Sequence, residues 1–235
     1  MHSQKIRFAV LSDLHVFDDL LEIYKDDPPS FFPVNYKGLK EGECPALDLF
    51  ELIEKDELSV DYVLCPGDIA HKAHPNHIEC SWGFLDEVKN KMNAKKVYVT
   101  TGNHDIDSRY SYSEYDAKGM LMGLMPHYPI ADVAEKNKYW ANNYVLVDDK
   151  DFNLVLLNTT AFHGVSGQLD GKRFDEYKYG RISKHTIKSI MENLKGKRKD
   201  VNILLCHHHP IRYDGLKDAD YSEMMGGGDL LEELL

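Results

Sequence analysis

The chain has 235 residues, 43% hydrophobic and 29% charged, with 39 acidic against 28 basic side chains and a net charge of −11. That is globular rather than disordered composition, and the acidic balance argues against a broad basic face for long nucleic acid. No run approaches the ~18 apolar residues of a membrane span, and the N-terminus lacks the apolar core of a signal peptide.

In chain order, "IRFAVLSD" (6–13) reads as a buried strand ending on a carboxylate. Residues 19–44, rich in Pro and Gly, read as a long loop with some local structure, and loops of that length inside a compact domain are often functional. Its "PPSFFP" (28–33) is expected to pack on the domain body rather than form an aromatic lid. A helix over 45–56 places Leu49, Leu52 and Ile53 together, with Pro45 near its start. "YVLCPGD" (62–68) is a second strand, a helix over 77–92 puts Trp82, Leu85 and Val88 on one face, and "KVYVTTGNHD" (96–105) is a third strand.

The stretch 139–160 differs, with two β-rich runs flanking Asp-Asp-Lys-Asp in an antiparallel hairpin, so the sheet is mixed. Ser183 caps a helix over 183–197 carrying Ile187, Ile190, Met191 and Leu194. "VNILLCHHHP" (201–210) is a fourth strand, and a last helix starts at Asp229. The four cysteines show no C-x-x-C spacing, which predicts reduced thiols and a cytoplasmic protein.

Four times an apolar run stops at Asp, Gly, Asn or His, and in open α/β sheets ligands bind beyond such strand ends. Those ends carry Asp13 and His15, then Asp68 behind a turn glycine, then Asn103, His104 and Asp105, and finally His207, His208 and His209. Oxygen and imidazole donors without thiolates suit Mn²⁺, Fe or Zn²⁺ better than Mg²⁺. The set exceeds what one ion needs, and a carboxylate such as Asp68 can bridge two ions about 3.5–4 Å apart, the clamp for in-line displacement at phosphorus. Beside these, Arg109 either clamps a phosphate or pairs with Asp105 or Asp107. His71 and His74 either contact substrate or sit in a solvated loop or helix cap, and His163 reads as a satisfied loop histidine. Tyr110, Tyr112 and Tyr115 would stack a base, although 14 tyrosines make a chance cluster easy.

The ordered set D-x-H, G-D, G-N-H-D and H-x-P, each after a strand, resembles the calcineurin-like metallophosphoesterase family over nearly the whole chain. The resemblance implies an α/β, four-layer fold: a central mixed β-sandwich flanked by helices, here one domain over 1–235 with 19–44 as a loop insertion. It implies metal ligation by Asp13, His15, Asp68, Asn103 and His208, the last two residues before Pro210, with its neighbours sent to the other face by alternation. His104 would contact the scissile phosphate, and Asp105 would hold the His104 imidazole from behind. The family's Gly-His-x-His motif has no counterpart, since no histidine follows His209. The expectation is therefore a domain incomplete at its C-terminus, with a further segment completing the site.

The resulting expectation is a binuclear, Mn²⁺-preferring hydrolase (Fe or Zn²⁺ as alternatives) acting on phosphodiesters or phosphomonoesters of nucleotide type through a hydroxide activated by two metals. The alternatives are a catalytically impaired phosphoesterase-like interaction module and a nuclease component of a larger assembly.

Overall fold

The computed structural model describes residues 5–169, 172–177, 179–212 and 222–235. The first half builds β1 (Phe8–Val10), α1 (Pro45–Lys55), β2 (Tyr62–Cys65), α2 (Pro75–Lys91), β3 (Lys96–Val99) and α3 (Gly119–Gly123). The second half builds α4 (Val133–Asn142), β4 (Tyr144–Asp148), β5 (Phe152–Leu157), β6 (Ser166–Leu169), β7 (Lys172–Asp175) and β8 (Gly180–Arg181). It closes with α5 (Lys184–Leu194), β9 (Val201–Leu205), β10 (Met224–Met225) and α6 (Gly227–Leu234).

Strands β1, β2 and β3 form one parallel sheet in that order. A second sheet runs β4-β5-β9, with β4 antiparallel and β9 parallel to β5, so this sheet is mixed as the 139–160 hairpin implied. Alternation along each strand divides its side chains between two layers. Tyr62, Leu64 and Tyr98 of the first sheet meet Val145, Val147, Phe152, Leu154, Leu156 and Leu205 of the second in one buried cluster. The alternate residues Val63, Cys65, Val97 and Val99 pack instead with Phe50 and Ile53 of α1 and with Ile78, Trp82, Leu85 and Val88 of α2. On the far side, Tyr144, Val155 and Leu157 pack with Ile187, Ile190 and Leu194 of α5 and Leu230 of α6. The architecture is therefore helix, sheet, sheet, helix, which is the mixed β-sandwich flanked by helices.

Pro45 and Pro75 stand at the first turns of α1 and α2, where a missing N–H costs nothing. Ser183 caps α5 by accepting from the Thr186 N–H at 3.1 Å. Segment 19–44 carries two 3₁₀ turns, Glu22–Tyr24 and Tyr36–Gly38. Phe32 and Tyr36 are buried on the helix side of the first sheet while Phe31 stays exposed, so the aromatic pair splits between packing and solvent.

One element departs from the sequence reading. Residues 139–142 belong to helix α4 rather than to a β-run. Asp132 accepts from the Glu135 N–H at 2.9 Å and Asn143 ends the helix at φ 63°. Its Tyr139 and Trp140 pack into the inter-sheet core, so the aromatic pair that reads as strand closes the side of the sandwich from a helix.

Candidate active site

The chain leaves the sheet early at each of the functional strand ends. β1 stops at Val10 and β2 at Cys65, and tight turns follow. Asp13, His15 and Asp68 have φ of 55°, 43° and 51°, a left-handed conformation uncommon outside glycine. Such backbone costs free energy and persists where the surroundings over-determine it. The two turns are tied together by Asp13 N–H donating to the Gly67 carbonyl at 3.3 Å and His15 N–H to the Asp68 carbonyl at 3.0 Å.

Glycine is required at two points of close approach. Gly67 sits at φ 109°, and a Cβ there would lie 2.6 Å from the Gly102 nitrogen. A Cβ on Gly102 would strike the Asp68 carboxylate and its backbone nitrogen. The β2 and β3 turns therefore press backbone on backbone, and Asp105 locks them. Its buried carboxylate accepts the N–H of Gly102 at 2.8 Å, of Asp68 at 2.9 Å and of Ala70 at 3.1 Å. This corrects the expected role of Asp105. The carboxylate is spent on three amides of the loops, and the His104 Nδ1 is buried with no hydrogen-bond partner among the described residues. His104 is placed through its backbone instead, its N–H donating to Asp68 Oδ1 at 2.8 Å.

A pocket of about 670 Å³ opens at these turns, lined by Asp13, His15, Asp68, Asn103, His104, Arg109, Tyr177, His207 and Ser222. Three imidazole and carboxylate groups, Asp13, His15 and Asp68, offer ligand atoms within 4.8 Å of one another, as do His15, His71 and His104. Asp68 Oδ2 lies 3.6 Å from His15 Nε2 and 3.5 Å from His207 Nε2.

The second correction to the site concerns the histidine triplet. His207, not His208, reaches the pocket, its Nε2 standing 3.0 Å from Asn103 Oδ1 and its Nδ1 3.1 Å from the Pro66 carbonyl. His208 is buried on the opposite side, with Nδ1 2.7 Å from the Thr159 hydroxyl and its ring against the Gly180 backbone. Alternation explains the choice. Ile203 and Leu205 point into the inter-sheet core and His207 continues their face, whereas Leu204 and Cys206 face α5 and α6 and His208 continues theirs. His71 does not line the pocket. It is buried behind the pocket, its ring centroid 5.3 Å from that of His104 and 6.1 Å from that of His15. His163 is buried in its loop with Nε2 3.0 Å from the Tyr179 carbonyl.

Burial sets the protonation of the site. It pushes the Asp68 carboxyl up to about 7, partly opposed by the His104 N–H bond. It draws His104 down to about 4, helped by His15 and His207, and lowers His15 and His207 as well. The imidazoles are therefore neutral, which is the form that ligates metals. A neutral His207 has one ring proton. It satisfies either the Pro66 carbonyl or Asn103 Oδ1, and the other contact sets lone pair against lone pair. A cation among His207, Asn103 and Asp68 resolves that conflict and offsets the buried carboxylates, so the donor set fits a divalent ion.

Arg109 reaches the pocket from the loop after β3. No carboxylate among the described residues pairs with it, and Asp107, the partner sequence offered, is occupied by the N–H groups of Ser111, Tyr112 and Ser113 at 2.7–2.9 Å. Its guanidinium instead lies 4.7 Å from the ring centroid of Tyr177. Sequence reasoning missed Tyr177, since it lies about seventy positions from Arg109 with no local motif around it.

Layered sheets with carboxylate, amide and imidazole groups gathered beyond parallel strand ends define an α/β protein with a candidate metal site. The model of the calcineurin-like phosphoesterase family matches residues 6–235, and the chain belongs to that family, whose members hydrolyse phosphoesters with divalent metals. No curated protein matches the chain. Among the described residues, no helix is long and apolar enough to cross a membrane.

Proposed function

We propose that the chain hydrolyses a phosphodiester or phosphomonoester of nucleotide type, with two divalent ions held by Asp13, His15, Asp68, Asn103 and His207. The observation that carries this reading is the single Asp68 oxygen placed between two imidazoles, His15 Nε2 at 3.6 Å and His207 Nε2 at 3.5 Å. A carboxylate in that position would hold two ions, and Mn²⁺ would suit the oxygen and nitrogen donors best, with Fe or Zn²⁺ next. Bound there, the ions would neutralise phosphoryl charge and acidify a water for attack on phosphorus.

The side chains do the rest. Asp105 fixes the two turns, so the donors are held in place before substrate arrives. With His104 neutral and its Nδ1 buried, Nε2 is the nitrogen available to the pocket, where it donates a hydrogen bond to a phosphoryl or leaving oxygen. Arg109, without a carboxylate partner among the described residues, binds phosphate oxygens through its planar fork. The net charge of −11 favours a small substrate over a long polyanion. Four unpaired cysteines support work in reducing, cytoplasmic surroundings.

The test is release of p-nitrophenol from bis(p-nitrophenyl) phosphate by the Mn²⁺-loaded chain, compared with His104→Ala. Turnover should fall by about 100-fold or more in the variant while its metal content holds. Normal turnover in His104→Ala, or none in the loaded wild type, removes this reading.

A further inference from the structure

Beside the donor pocket lies a second cleft of about 380 Å³, whose walls include Arg109, Tyr110, Gly164, Val165, Glu176 and Tyr177. The two clefts share Arg109 and Tyr177 as walls. This volume is in the range of small-molecule sites, about 300–1,000 Å³. Its chemistry differs from that of its neighbour. Among the described residues it holds one carboxylate, Glu176, which is buried and paired with the Arg181 guanidinium. The Tyr110 hydroxyl donates to the Gly164 carbonyl at 2.5 Å, which fixes that ring as a wall. At the junction, Arg109 lies over the face of Tyr177.

We propose that this annex holds the planar base of a nucleotide diester whose phosphate occupies the donor pocket, with Arg109 at the junction and Tyr177 as the stacking surface that sets specificity. This rests on the phosphoesterase reading above and names the group on the far side of the phosphate. Two aromatic rings and a planar cation favour a flat, electron-rich ligand, and stacking on a side chain tolerates any base. A guanidinium shared by both clefts ties the two parts of one ligand together, since its fork binds phosphate while its face stacks.

The experiment uses the Mn²⁺-loaded full chain and two esters with the same leaving group: thymidine 5′-(p-nitrophenyl phosphate) and methyl p-nitrophenyl phosphate. In parallel, calorimetry compares binding of AMP and ribose 5-phosphate. The proposal expects kcat/KM for the thymidine ester, and affinity for AMP, to exceed those of their base-free counterparts about tenfold or more. It expects both ratios to approach one in Tyr177→Leu, and Val165→Trp, which fills the annex from an exposed position, to lower them as well. Equal kcat/KM for the two esters in the wild type overturns the annex and leaves the phosphoesterase reading standing. Ratios that survive both substitutions overturn it too. If neither ester is hydrolysed, a preference for AMP that Tyr177→Leu abolishes upholds the annex while the hydrolytic reading fails, and equal binding of AMP and ribose 5-phosphate overturns both.

Discussion

Replacing Asp105 by alanine removes the acceptor shared by three buried amides, those of Gly102, Asp68 and Ala70. A buried donor left without a partner costs about 1–3 kcal/mol, so three set a span of about 3–9 kcal/mol. Two effects pull toward the low end. Loss of a carboxylate that is itself 1% exposed relieves its desolvation, and the vacated space admits a water. The expected loss is about 3 kcal/mol, a large share of the 5–15 kcal/mol that holds an ordinary domain folded. Asp105→Asn keeps the shape but turns an NH₂ toward at least one of the donors, so it should lose about 1–2 kcal/mol. Urea unfolding of the metal-free protein reads both values from the shift in midpoint at constant slope. A loss below about 1 kcal/mol in Asp105→Ala would refute the reasoning, since the three bonds would then contribute nothing beyond what water supplies.

Gly102→Ala drives a Cβ into Asp68, and the turns after β2 and β3 should separate; a Mn²⁺ titration should show at least about tenfold weaker binding, alongside an overpacking cost of about 1–3 kcal/mol. Unchanged binding would mean that the close approach is not needed. In the metal-free protein, burial holds His71, His104 and His208 at about 3, 4 and 2 when folded, while the unfolded chain titrates near 6.5. The unfolded state therefore binds more protons below that pH, so the stability these groups contribute is present above about 6.5 and is lost as pH falls. Asp68 and Asp105, both raised to about 7 by burial, oppose this, because their folded forms hold the proton and their contribution fades as pH rises from about 4 to 7. The lowered histidines, which also include His15, His77, His163 and His207, outnumber the two raised carboxylates, and the thermal midpoint should drop between about pH 6.5 and 4.5; a rise across that range would contradict the burial argument.

Much of this was legible in the sequence because strands that end on chemistry leave a local mark. The runs before Asp68 and Asn103 are apolar on both faces, which is what a strand between a helix layer and a second sheet requires, and those before Asp13 and His207 keep an apolar stretch up to the strand end. What sequence left open is phase. Alternation says that neighbours in "HHHP" face opposite ways, but only the packing of Ile203 and Leu205 between the sheets decides that His207 faces the donors. Asp105 misled for a related reason. A carboxylate beside a histidine looks like its partner, yet the turn brings three amides closer. Helix α4 was hidden by Tyr139 and Trp140, although the capping Asp132 with Glu135 three residues on, and Asn143 at the end, were in plain view. Left-handed backbone at Asp13, His15 and Asp68 carries no sequence mark, because none of them is glycine.

The most direct test is the number of ions per chain after Mn²⁺ loading and dialysis, measured by elemental analysis for the wild type, His207→Ala and His208→Asn. Two ions are expected in the wild type, fewer in His207→Ala, and the wild-type number in His208→Asn. Loss of metal in His208→Asn with full content in His207→Ala, or a wild type that binds none, would contradict it.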